Sequence, residues 1–289
     1  MRTLRMLGIA VLLAACSSTT SNRASTTSVA APSTAEAAPA TTALAPEQGG
    51  GVFLLHDSGS DGVRMGPFLA PVLRAGVDTF AARLQAMATV TAAEAADGFT
   101  TAVPAATKVN SATIDGFVAT VDLSSDFASG GGALSMSARL AQLVYTATTG
   151  PEKVYSVVLL LDGQQVTTFS AEGLELSQPL SRSGYDDLLP GILVEVPAAY
   201  SVVDGTISVG GTAIATDAKL HTEILDPDGT VVADVPFVMS SSATGAGSFY
   251  VTLTLPSMAA GTPLRIHVWD DRAPGGGRTS ERYVPITYG

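Results

Sequence analysis

From Ile192 to the C-terminus the chain breaks into short β-rich runs, and this pattern restricts the fold more than any other feature. The runs are Ile192–Val196, Thr206–Ala213, Lys219–Leu225, Val231–Met239, Ser248–Leu255, Leu264–Trp269 and Arg282–Thr287. Turn residues separate them, and Asp226-Pro-Asp-Gly229 places proline at the second position of a tight turn. Several runs alternate with period two. Leu264, Ile266 and Val268 fall on one face, Arg265 and His267 on the other. Seven such runs predict an antiparallel β-sandwich of immunoglobulin type over 192–289. The chain has one cysteine, so the sandwich must hold by packing without an internal disulfide.

Upstream, residues 52–170 mix strands and helices. Val52–His56 reads as a strand, and a second extended piece over 63–74 is interrupted by Pro67 and Pro71. A helix is expected from Asp78 as N-cap, with Phe80, Leu84 and Met87 on one face. Val109–Ile114 and Phe117–Leu123 flank Asp115-Gly116, a hairpin signal. Gly130-Gly131-Gly132 leads into a helix over 134–148 whose apolar positions include Leu134, Ala138, Ala141 and Tyr145. Val154–Leu161, closed by Asp162-Gly163, reads as a central buried strand. The expected class is α+β, with two helices on a small sheet followed by an all-β sandwich. Residues 171–191 carry few strand signals and read as a linker.

The N-terminus reads as an address. Arg2 and Arg5 precede ten small or apolar residues, Met6–Ala15, a run too short to span a bilayer and the right length for a signal peptide over 1–15. Leu13-Ala14-Ala15-Cys16 resembles the bacterial lipobox, which implies cleavage before Cys16 and two or three acyl chains (palmitate among them) on it. The alternative is an ordinary cleaved signal with an incidental cysteine. Residues 16–51 then form a tether. Over 17–48, 25 of 32 residues are Ser, Thr, Ala or Pro, too little apolar surface to offset the entropy of ordering. Such a chain spans roughly 30 Å root-mean-square.

The stretch Ser111–Ser124, with Asp115-Gly116 at its turn and Asp122 near its end, resembles the GerM-type (GerMN) domain of sporulation and germination proteins. Ala141–Thr146, Val154–Val157 and Leu161-Asp162-Gly163 extend the resemblance over 52–170. The family often has a longer, more basic segment between first strand and first helix, which here is Gly- and Pro-rich. Pro179–Arg182, Leu189–Pro197, Val209–Ala213, Asp228-Gly229 and Gly247–Phe249 resemble the immunoglobulin-like domain that accompanies it in spore-germination lipoproteins. The resemblance implies a fold similar to the ring-building modules of envelope-spanning secretion machines, and a role in protein interaction rather than catalysis.

Few residues suggest chemistry. His56, His221 and His267 are far apart in sequence; the latter two lie on predicted strands and are expected on a solvated face. Asp57-Ser-Gly-Ser-Asp61-Gly62 imitates a calcium loop, but its third position is Gly59 and its twelfth Phe68, so the bidentate ligand is missing. Asp122 and Asp126 flank Ser124 and could pair as acids or cap turns; capping is favoured. No motif for nucleophilic, nucleotide or zinc chemistry occurs, and neither a cofactor nor a metal is implied. The net charge of −11 argues against nucleic acid as partner.

The expected role is a non-catalytic lipoprotein on the extracytoplasmic face of the cell membrane. It would hold the bilayer through Cys16 and bind envelope proteins or further copies of itself, with Arg182 and Tyr185 in the bridge as candidate contacts. A second reading is a cell-wall glycan-binding module using the sandwich loops and Trp269. Trp269 could equally pack into the sandwich core. A third is an enzyme with an unrecognised site.

Overall fold

The computed structural model describes residues 51–57, 66–169, 173–214, 219–239, 246–271 and 278–289. Residues 1–15, Cys16, nearly all of the tether, Ser58–Gly62 of the calcium-like loop and Gly275–Gly277 lie outside them. No helix among the described residues is long and apolar enough to cross a membrane.

The first half runs β1 (Val52–His56), β2 (Phe68–Val72), α1 (Phe80–Ala86), α2 (Ala92–Ala96), β3 (Phe99–Thr100), β4 (Val109–Asp115), β5 (Val118–Leu123), α3 (Ala133–Ala147), β6 (Ser156–Leu161), β7 (Gln164–Gln165), β8 (Thr168–Phe169) and β9 (Leu174–Glu175). Three helices occur here among the described residues, and the strands form two main sheets in the orders β2-β1-β3 and β4-β5-β6-β7. This corrects the expectation of two helices on one sheet. The extra helix, α2, is closed by a capping box. Thr91 Oγ1 accepts from Glu94 N, and Glu94 returns a carboxylate to Thr91 N. At α1 the N-cap is Thr79 rather than Asp78, its hydroxyl accepting from Ala82 N. β4 and β5 form the expected hairpin, with Gly116 (φ 57°) at the first turn position and Phe117 at the second. β5 and β6 run parallel, which requires a crossover, and α3 supplies it. β6 is interior to its sheet as expected, but only alternate residues are buried.

α3 is buried along most of its length, including its polar residues Arg139, Gln142 and Thr146. Leu134 is the exception. It lies in the first turn, beyond the core, and is 68% exposed, against the apolar face expected of it. Strand β3 pairs only with Leu55 and His56, so it leaves Phe53 without a strand partner on that side. Side chains of α3 replace it: Thr146 Oγ1 accepts from Phe53 N, and Gln142 Nε2 donates to Phe53 O. Buried backbone groups need such partners, and here two polar positions on one helix face provide them.

The second half contains β10 (Ile192–Val196), β11 (Val202–Val203), β12 (Thr206–Ile214), β13 (Lys219–Leu225), β14 (Val231–Met239), β15 (Ala246–Thr254), β16 (Pro263–Asp271) and β17 (Arg278–Tyr288). They form sheets of order β10-β12-β15 and β11-β17-β16-β13-β14. Ile207, Val209, Phe249 and Leu253 from the first sheet are buried with Leu220, Ile224, Leu264, Ile266, Val268 and Val284 from the second. All seven expected strands occur. At Glu195 a bulge shifts the β10–β12 register, and Gly210 and Gly211 lie opposite it.

The described residues belong to one compact unit, and the apolar core is continuous from Val52 and Leu54 to Ile286. Within 173–191, the stretch read as a linker, Leu180 and Leu188 are buried against the core. Leu180 is buried and exchanges backbone hydrogen bonds with Val157, at 2.7 and 2.9 Å. A parallel bridge joins Val72 to Ala199, with Leu73 N donating to Ala199 O and Ala199 N to Pro71 O.

Candidate functional site

Three places combine chemistry with position: a clasp across the two halves, a crevice between them, and an aromatic tip on the first half.

The clasp is Arg182. From a 3-10 turn at 182–184 its guanidinium donates through Nη1 to Glu195 Oε1 (2.6 Å), Nε to Thr148 Oγ1 (2.7 Å) and Nη2 to Thr149 Oγ1 (2.5 Å). It stands 4.5 Å over the Tyr145 ring and 5.8 Å over Phe53. A cation at the C-terminal end of α3 is also favoured by the helix dipole. Burial pushes the Tyr145 hydroxyl pKa up to about 12, against the pull of Arg182. Tyr185 is half-buried against the core, and burial raises its hydroxyl to about 12. The structure thus places both bridge residues inside the molecule's own seam. Arg182→Ala removes three charge-assisted bonds and a stacking contact, so it should cost about 2–3 kcal/mol. A urea melt should show that loss as a lower midpoint within a single transition. An unchanged midpoint would mean that the clasp does not hold the halves.

The crevice, about 340 Å³, is lined by His56, Asp97 and Phe99 from the first half and by Arg265, Glu281, Arg282, Tyr283 and Pro285 from β16 and β17. Two of its residues are anchored across the seam: Tyr200 OH donates to Asp97 Oδ2 at 2.6 Å, and the Phe99 ring lies between those of His56 and Tyr200 (4.7 and 6.0 Å). His56 Nε2 lies 2.9 Å from Asp97 O, a carbonyl, so Nε2 carries the proton and donates. Burial, helped by the positive charge of Arg282, lowers the His56 pKa below its ordinary 6.5. His56 Nδ1 is therefore an acceptor; it is buried and has no partner among the described residues.

Beside the crevice, the outer face of the five-stranded sheet carries a row of stacked rings. Trp269 stacks on His221 (5.0 Å) and His267 (4.4 Å), and His267 on Tyr283 (4.2 Å, 4° between planes). His267 is 1% exposed, with Nδ1 2.9 Å from Glu223 Oε1 and Nε2 3.3 Å from Glu281 Oε2. This corrects its placement on a solvated face: the face is right, but neighbouring rings cover it. Trp269 is half-buried on the outer face, opposite the core-facing Leu264, Ile266 and Val268.

The tip lies at the β4–β5 hairpin. Phe117 and Tyr155 stack at 5.0 Å and 25°, yet they are 57% and 65% exposed, and Ile114 beside them on β4 is also exposed. β4 is an edge strand, with no neighbour on its other side among the described residues.

Of the aspartates flanking Ser124, Asp122 caps a turn, its Oδ1 accepting from Gly163 N, while Asp126 Oδ2 only accepts from the Ser124 hydroxyl. No cluster of His, Cys, Asp and Glu suited to a metal ion occurs among the described residues.

Residues 57–167 match the family described as sporulation and spore germination, and residues 191–276 match the immunoglobulin-like domain of bacterial spore germination. No curated protein sequence matches the chain. Among solved structures it is similar to the tandem GerMN domains of the sporulation protein GerM from Bacillus subtilis. That match has 15% identity and a TM-score of 0.40, and covers 83% of this chain and 60% of that one. The chain thus spans less than two thirds of that protein's length. The first GerMN domain of the same protein matches at 19% identity and a TM-score of 0.38, covering 47% of this chain and 98% of that one.

Proposed function

We propose that this protein, which pairs a sporulation and spore germination domain with an immunoglobulin-like domain of bacterial spore germination, is a non-catalytic envelope adaptor. In this reading Cys16 anchors it to the membrane and the ring-building-like first half presents the docking surface. The exposed Phe117–Tyr155 stack at the hairpin tip carries the proposal. Two large rings held in water, next to an open strand edge, are the kind of aromatic anchor that dominates protein interfaces. The reading as a glycan module has less support, because the Trp269 ring it would use is already stacked on His221 and His267.

The test is in-cell cross-linking of the lipidated protein followed by mass spectrometry. The double variant Phe117→Ala/Tyr155→Ala should keep its melting temperature, since both rings are exposed, and should lose its principal cross-linked envelope proteins. Cys16→Ser should release the chain from the membrane fraction. If the double variant keeps every cross-link, or if the wild type is retained instead on purified wall sacculi after a high-salt wash, the adaptor role fails.

A further inference from the structure

We propose that the crevice between the two halves binds a small zwitterion with an apolar side chain, a free amino acid or a short peptide. The site is remote in sequence from the hairpin tip and independent of the adaptor reading.

Charge sets the class of ligand. The walls carry two carboxylates, Asp97 and Glu281, and two guanidinium groups, Arg265 and Arg282. A ligand of one sign would meet as much repulsion as attraction there. A molecule carrying both an ammonium and a carboxylate can face each sign with its complement. Asp97 on the first-half wall and Arg265 on the outer sheet face are both exposed, which gives a direction: the ligand's nitrogen lies toward Asp97 and its carboxylate toward Arg265.

The remaining walls are Phe99, Tyr283 and Pro285, apolar surface for a side chain. At about 340 Å³ the crevice lies at the lower end of the usual range for small-molecule sites. It is also preformed: Tyr200 fixes Asp97, and the stack on His267 fixes Tyr283. Little ordering is then left to oppose binding.

The experiment is calorimetric titration of the full chain with four probes. L-Leucine and glycyl-L-leucine are both zwitterions and distinguish a free amino acid from a peptide. 4-Methylpentanoate is leucine without its ammonium, and 3-methylbutylamine is leucine without its carboxylate. At least one zwitterion should bind, and each single-function analogue should bind about tenfold or more weaker. Arg265→Gln should weaken the zwitterion about tenfold and leave 3-methylbutylamine unaffected. Because Arg265 is exposed, the variant should fold normally, and an unchanged melting temperature checks this. The proposal is overturned if no zwitterion binds up to about 10 mM, if the analogues bind as well as the zwitterions, or if Arg265→Gln weakens leucine and amine alike.

Discussion

Gly211→Ala should lower the melting temperature by roughly 10 °C, the largest effect expected of a single added methyl group in this protein. A Cβ at that position would lie 1.9 Å from the carbonyl oxygen of Leu193, 2.9 Å from its carbon and 3.1 Å from Glu195 N. All three are backbone atoms of β10, so no side chain can rotate away. The cause is the bulge at Glu195, which crowds β10 over the Gly210-Gly211 pair of β12. To accept a methyl group, β10 would have to move away from β12, and β10 also carries Ile192, Leu193 and Val194 into the core. Steric conflict with backbone, together with lost strand pairing, should cost about 3–5 kcal/mol, a large part of an ordinary domain's stability. Gly184→Ala is the control. Nothing lies within 4 Å of its added Cβ, and it should change stability by no more than about 0.5 kcal/mol. Calorimetry on both variants decides the matter. Equal melting temperatures would show that β10 and β12 do not pair in this register.

That glycine pair was visible in the sequence, but its reason was not. What could be read was whatever depends on local periodicity. Seven of the eight strands of the second half follow from alternation and turns, all but the two-residue β11, and the outward position of Arg265 and His267 follows from counting by two. The hairpin followed from Asp115-Gly116, with the turn one residue later than the dipeptide suggests. Helix α2 is absent from the two-helix expectation, although Thr91-Ala-Ala-Glu94 carries a capping-box spacing that signals it. The burial of His267 was not legible, since it comes from Trp269 two residues along its own strand and Tyr283 on the next. The crevice was hidden for a related reason. Its residues come from positions 56, 97, 99, 265, 281–283 and 285, and only the packing of one half on the other brings them together. Arg182 was singled out as an outward contact; its partners Glu195, Thr148 and Thr149 lie 13 to 34 residues away and turn it inward. Amphipathic patterns report which face is apolar, but not which polar side chains a folded core will enclose.

Arg139 shows how much such an enclosed group can hold. It sits on α3, is almost fully buried, and donates to four backbone carbonyls: Ala102 through Nε, Phe127 and Ser129 through Nη1, and Gly130 through Nη2. Burial lowers its pKa from the ordinary value without removing the charge, since an arginine loses its proton only at very high pH. One side chain therefore fixes the loop from β5 into α3 and ties it to residue 102. Arg139→Met keeps much of the volume and removes every donor, leaving those carbonyls to find water or go unpaired. At about 1 kcal/mol or more for each bond lost to a charged donor, partly offset by removing a buried charge, the net loss should be about 3 kcal/mol. Arg139→Lys keeps the charge but not the planar fork, so it should recover only part of that loss. Hydrogen exchange separates this from a general weakening of the core. In the Met variant the amides of Phe127 and Ser129, which close the turn by donating to Ser124 O and Asp126 O, should exchange faster than those of β12 or β16. If amides throughout the chain speed up together, Arg139 stabilises the fold as a whole and does not organise this loop.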